Sequence, residues 1–203
     1  MKFIKLALLL ALGWSAQAQE KTPKVWMDVL QLDSTIVLDL RYASDNNFVQ
    51  EKMYDCGRCY LRTEVAEALV KVHQHLKQEG YGGLKMFDCY RPRSIQWKLW
   101  NKVPNPSYVA DPRKGSMHNR GSAVDLTIID KDGNELDMGT TFDFFGAEAH
   151  YDYKKLPAAV IQNRALLRES MSNYGFNGIR TEWWHFSFAG KTFNLSDFQW
   201  KCE

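Results

Sequence analysis

The sequence lacks an apolar run of membrane-spanning length: Leu6–Leu12 is far shorter than the roughly 20 residues that a spanning helix needs. It also lacks a charge excess. Across 203 residues, 26 Lys and Arg stand against 24 Asp and Glu; residues 1–18 hold Lys2 and Lys5 and no acid, so the remainder balances at 24 against 24. That excludes the clustered basic footprint on which nucleic-acid binding depends, and no nucleic-acid partner is expected. Internal repeats, low-complexity stretches and Pro/Ser-rich linkers are missing too, which leaves one domain as the organisation. Histidine is scarce. Five residues are the whole supply of imidazole, so the search for a transition-metal site is short.

What is present begins at the N-terminus. Lys2 and Lys5, the apolar run and the small-x-small pattern Ala16-Gln17-Ala18 together read as a signal peptide, with a retained membrane anchor as the competing reading that the cleavage pattern disfavours. Residues 1–18 are expected to be removed after Ala18, residues 19–203 to form the mature domain, and the protein to be exported to the periplasm or cell exterior. No cysteine stands at the cut, which argues against a lipid anchor. An apolar fraction of 45% with 13% aromatics excludes disorder. Cys56, Cys59, Cys89 and Cys202 all lie in the mature part, and an even count in an oxidising compartment predicts disulfides. The pairing stays open, with Cys202 expected to tie the C-terminus to Cys56 or Cys59. Cys56-Gly57-Arg58-Cys59 has C-x-x-C spacing, but it lacks the preceding strand of a thioredoxin-type motif and the second C-x-x-C of a zinc knuckle.

Periodicity predicts strands over Ile36–Tyr42, Leu84–Phe87, Ala123–Ile129 and Trp183–Phe188. Val65, Leu69, Val72 and Leu76 recur at helical offsets within Arg62–Glu79, which Gly80 stops. Ser94–Trp100 and Pro157–Tyr174 read as two further helices, Val103–Gly115 as a loop, and Asp132-Gly133-Asn134 as a hairpin turn. Strands and helices do not alternate strictly. The expected fold is therefore α+β, with a mainly antiparallel central sheet flanked by helices.

Chemistry narrows to two histidines. His73 and His75 lie two apart on a predicted helix, cannot clamp one ion, and are both expected to be solvated; His150 has no ligand-spaced partner. His118 opens Ser116-Met117-His118-Asn119-Arg120-Gly121-Ser122-Ala123-Val124-Asp125, where a glycine turn followed by a strand can aim a histidine and a carboxylate at one point. Asp125 sits between Val124 and Leu126, and a buried carboxylate needs a partner or a metal. Glu182-Trp183-Trp184-His185 adds a second histidine and another carboxylate. On a straight strand an offset of three sends Glu182 and His185 to opposite faces, so a bend before His185 is expected. Two histidines and one aspartate leave a fourth zinc position for water, and a nearby non-ligand glutamate can take that water's proton.

Ser116-x-His118-x-x-Gly121-x-Ala123-x-Asp125 followed by Glu182-x-x-His185 resembles the signature of the VanX-type D-alanyl-D-alanine dipeptidases, a family sharing its fold with zinc D,D-carboxypeptidases and the hedgehog signalling domain. Asp39-Leu40-Arg41-Tyr42, Asn47-Phe48, Asp88-x-Tyr90-Arg91-Pro92, Met138-Gly139 and Phe142-Asp143 extend the resemblance over about Ile36–Phe188. It implies one Zn2+ held by His118, Asp125 and His185, with Glu182 as general base. It further implies Arg91 at the oxyanion, Ser116 and Asp143 at the substrate's amino group, and Tyr42 in the side-chain pocket. The implied partner is a small D-amino-acid dipeptide. Trimming of longer peptidoglycan stems and a non-catalytic zinc module are the rival readings; retention of both Glu182 and Arg91 disfavours the second. Cys89 departs from the family, standing where a small residue is usual.

Overall fold

A computed structural model describes residues 25–202; the expected signal peptide lies outside the described residues. The expected α+β class holds. A five-stranded sheet runs in the order β2 (Val37–Leu38), β4 (Gly83–Asp88), β5 (Ala123–Ile129), β7 (Glu182–Phe188) and β6 (Phe176–Ile179). Only the β2–β4 pairing is parallel. A separate antiparallel pair joins β1 (Trp26–Asp28) to β3 (Tyr60–Arg62). The described residues also form three α-helices: α1 (Thr63–Gln78), α2 (Arg93–Lys102) and α3 (Ala158–Ser172). No helix among the described residues is long and apolar enough to cross a membrane.

The core follows from strand alternation. Val124, Leu126 and Ile128 of β5 join Leu69, Val72 and Leu76 of α1 and Leu167 and Met171 of α3 in one buried cluster. The intervening Ala123, Asp125 and Thr127 are thereby turned to the opposite face of β5, and they are buried as well. A second cluster of Tyr42, Met53, Tyr54, Ile95, Leu99 and Val109 gathers α2 and the loops on either side of it.

Two expectations are corrected. The strand expected over Ile36–Tyr42 pairs only at Val37–Leu38, and the chain then turns through a 3-10 segment, Arg41–Ala43. Tyr42 thus leaves the sheet plane and is buried in the second cluster. His73 is not solvated but fully buried. Its Nδ1 accepts from the Leu84 N–H at 3.0 Å, so its Nε2 carries the hydrogen and donates to Thr35 Oγ1 at 2.9 Å. Burial lowers its pKa and keeps it neutral. The ring fits because Gly83, at φ +103°, has no Cβ; one built there would collide with His73 Cε1.

All four cysteines are paired, as Cys56–Cys202 and Cys59–Cys89. The first pairing was one of those expected for Cys202. Residues beyond β7 form no regular element but run back over the molecule. Arg120 Nη1 donates to Phe193 O, Ser196 N to Asn119 O, and Tyr90 Oη to the Ser196 and Phe198 carbonyls. Cys202 then fastens the end of this segment.

Candidate active site

His118 begins a short 3-10 turn, His118–Arg120, that ends at Gly121 with φ +71°. A side chain at Gly121 would both be strained and run into the Trp26 ring. The turn hands directly into β5, and Asp125 faces His185 of β7 in register. A cross-strand pair of this kind shares one face of the sheet. The expected bend also exists: β6–β7 pairing shifts between Gly178, opposite Phe186, and Ile179, opposite Glu182. This irregularity brings Glu182 Oε2 to 3.9 Å from His185 Nδ1 despite the odd offset.

His118 Nε2, His185 Nδ1 and the Asp125 carboxylate converge on one point. The nitrogens are 3.1 Å apart, His185 Nδ1 is 3.0 Å from Asp125 Oδ1, and His118 Nε2 is 3.4 Å from Asp125 Oδ2. His118 Nδ1 lies 2.8 Å from the Cys89 carbonyl, which can only accept, so that nitrogen carries the hydrogen and Nε2 is left bare. His185 Nε2 lies 3.1 Å from Ser187 Oγ, a hydroxyl able to accept its hydrogen in the tautomer that leaves Nδ1 free for a metal. In that tautomer acceptors alone face one another, and such a cluster needs a proton or a cation. Burial opposes a charge on His118, but adjacent Asp125 overcomes it and raises the His118 pKa. Burial likewise opposes ionisation of Asp125, but the two histidines hold its pKa low. A tetrahedral ion with ligands at about 2.0–2.2 Å spaces its donors roughly 3.3–3.6 Å apart. These three side chains form a group able to hold a metal ion, and the donor set of two imidazoles and a carboxylate suits zinc.

The other expected site residues line the same cavity, of about 240 Å³. Arg91 is buried and held like a clamp: Nε and Nη2 donate to Asp88 Oδ2 at 2.9 and 2.6 Å, and Nη1 to Gln96 Oε1 at 3.1 Å. Burial disfavours its charge, but Asp88 more than compensates and its pKa is raised. Tyr42 Oη donates to Asp143 Oδ2 at 2.8 Å. Asp143 sits at φ +58°, a conformation costly for a non-glycine residue. Burial, with Asp125 nearby, pushes its pKa up to about 8. Burial also raises the Glu182 pKa, against the pull of His185. Ser116 reaches the cavity wall with its N–H on Asn119 Oδ1 at 2.8 Å. Phe48 and Tyr108 also line it, and Phe145 meets Phe48 edge-on and Tyr108 at a tilt, with ring centroids at 5.2 and 4.5 Å.

Several supporting residues escaped the sequence reading. Gln96 orients Arg91 and is itself tied to Ala110 O at 2.8 Å. Tyr54 Oη donates to Asp88 Oδ1 at 2.9 Å, and Asn119 Nδ2 to Arg91 O at 2.7 Å. Ser187 was legible in principle, since it stands two residues after His185 on the same face of one strand.

A family model described as D-Ala-D-Ala dipeptidase, of the Peptidase_M15 group, matches residues 23–201. The D-alanyl-D-alanine dipeptidase of Escherichia coli strain K12 is 38% identical over 160 residues, covering 79% of this chain and 82% of that protein. The enzyme of the same name from Enterococcus faecium is 32% identical over 181 residues, covering 79% of this chain and 89% of that protein. A solved zinc complex of a point mutant of the vancomycin-resistance D,D-pentapeptidase VanY has 16% identity and a TM-score of 0.44, over 65% of this chain and 74% of that one. A model match over nearly the whole described chain, together with the two dipeptidases, identifies the chain as a member of the D-Ala-D-Ala dipeptidase family of peptidases.

Proposed function

We propose that this chain is an exported zinc dipeptidase that hydrolyses D-alanyl-D-alanine or a closely related small D-amino-acid dipeptide. One observation carries the reading: possible ligand atoms of His118, Asp125 and His185 converge in a cavity that also holds a further glutamate, Glu182, and a clamped arginine. The substrate class is supported by the names of the relatives, whose lengths this chain largely spans. Export is supported by the N-terminal pattern and by two disulfides, which persist in oxidising compartments.

Zinc bound by His118, Asp125 and His185 would lower the pKa of a water to about 7 and polarise the scissile carbonyl. Glu182, its pKa raised by burial, takes the proton of the attacking water and delivers it to the departing amine. Arg91 presents a fixed cation to the carbonyl oxygen as charge develops there; Asp88 and Gln96 fix its plane, so no reorganisation is needed during the reaction. Asp143, steadied by Tyr42, receives the free ammonium of the dipeptide and gives up its own proton as that cation arrives. Ser116 supplies a further polar contact at the wall.

Metal content and turnover together test this. Glu182→Ala is expected to keep about one zinc per chain and lose about 10²–10⁴-fold in kcat. His118→Ala and His185→Ala are expected to lose the metal itself. Loss of zinc in the Glu182 variant, or undiminished turnover, would overturn the assignment of Glu182 as base.

A further inference from the structure

The antiparallel pairing of β4 with β5 ends at Asp88, opposite Asp125. Three attachments of the active site nevertheless lie on the residues just beyond or at that end. Asp88 clamps Arg91, the Cys89 carbonyl fixes the hydrogen of His118 on Nδ1, and Arg91 N donates to His118 O at 3.1 Å. The segment is instead held from the side by β3: Tyr90 N donates to Tyr60 O at 3.0 Å, and Cys89 is bonded to Cys59. Both sulfur-bearing residues are buried, at 0% and 1% exposure. Cys56–Cys202 is different, since it joins a half-buried loop residue to an exposed one near the chain end.

We propose that the Cys59–Cys89 disulfide is a positioning element for the metal site, which sets zinc affinity by holding the Cys89 carbonyl against His118 Nδ1. The inference rests on the zinc reading above. Groups that orient a ligating imidazole typically contribute about 10–100-fold in metal affinity. Reciprocity then requires zinc to make the same disulfide harder to reduce, by the same factor.

The test compares two double variants of the full mature chain in a zinc titration against a chromophoric chelator. Cys59→Ala/Cys89→Ala leaves no new thiolate to bind zinc and is expected to weaken zinc binding about tenfold or more. Cys56→Ala/Cys202→Ala is expected to lower the melting temperature while zinc affinity stays within about twofold, since its bond touches no group of the site. The wild-type protein supplies a second readout that needs no variant to fold. Equilibration in redox buffers, with each disulfide followed by alkylation and mass spectrometry, should show zinc shifting Cys59–Cys89 toward more negative potential by about 30 mV for each tenfold in affinity. An unchanged zinc affinity in folded Cys59→Ala/Cys89→Ala, an equal loss in both double variants, or an absent or reversed shift in potential overturns the proposal. Wild-type protein that binds no zinc overturns the underlying reading and this inference with it.

Discussion

Glu182 and Asp143 are both carboxyls whose charge burial disfavours, yet the proposed function gives them different tasks, one at the attacking water and one at the substrate's ammonium. Glu182 stands beside the imidazole of His185, whereas Asp143 stands beside Tyr42 at a strained backbone position. The raised pKa of Asp143 has a sign that can be checked. Its folded-state pKa of about 8 lies above the ordinary 3.8, so its contribution to stability is complete below 3.8 and is lost as pH rises through about 8. In metal-free protein, Asp143→Asn should flatten the fall in melting temperature over that interval; an unchanged slope would refute the burial account. Arg91→Lys tests the clamp. Lysine cannot reproduce the fork that engages Asp88 and Gln96, so kcat should fall about 10²–10³-fold with a smaller change in KM. An unchanged kcat would make Arg91 a structural ion pair. At this scale His118 and His185 were legible because few imidazoles were available, while Arg91, Asp143, Ser116 and Tyr42 were singled out only through the family resemblance. The residues that support them were not: Gln96 and Asn119 are ordinary amides until the fold buries them against Arg91.

The site is assembled from a turn, a strand interior and a strand irregularity together. His118 comes from the turn before β5, Asp125 from the middle of β5, and Glu182 and His185 from either side of an irregularity in β7. Gly121 makes the turn possible. Gly121→Ala should destabilise the protein by more than about 1 kcal/mol, from positive φ and from contact with Trp26, and should lower zinc content along with stability. Unaltered melting and metal content would show that the turn tolerates a side chain. The bend before His185 was readable because Glu182 and His185 could not otherwise share a site. The early end of β2 was not readable: Asp39-Leu40-Arg41-Tyr42 alternates like a strand, but the chain turns there and Tyr42 packs in the second apolar cluster, several of whose members lie far along the sequence. Helical periodicity placed α1 correctly and misjudged His73, whose burial depends on Gly83, a strand residue ten positions later. Such long-range complementarity has no local signature. The short β1, β3 and β6 were missed for the same reason, since each is defined by its partner strand.

Across the whole molecule, the segment bearing the Cys59–Cys89 disulfide and the returning C-terminal segment brace the turn that carries His118, while Cys56–Cys202 fastens the far end of the C-terminal segment away from the site. Native protein is expected to show no free thiol, and breaking Cys56–Cys202 should cost on the order of 2–5 kcal/mol of stability. Thiol titration of undenatured protein and calorimetry after selective replacement would check both. The even cysteine count announced this bracing, while its pairing depended on the fold. The cavity beside that turn is lined by Asp143, Phe48 and Tyr108 among others, and under the proposed function Asp143 meets the free ammonium of the dipeptide there. A ligand whose nitrogen is acylated would leave that carboxyl without its cation. The most direct measurement is therefore kcat/KM of the zinc-loaded mature protein on free D-Ala-D-Ala and on its N-acetyl derivative, side by side. The account predicts that the free dipeptide is cleaved at least about 100-fold better. Equal or faster cleavage of the blocked peptide would contradict it and make trimming of longer stem peptides the function.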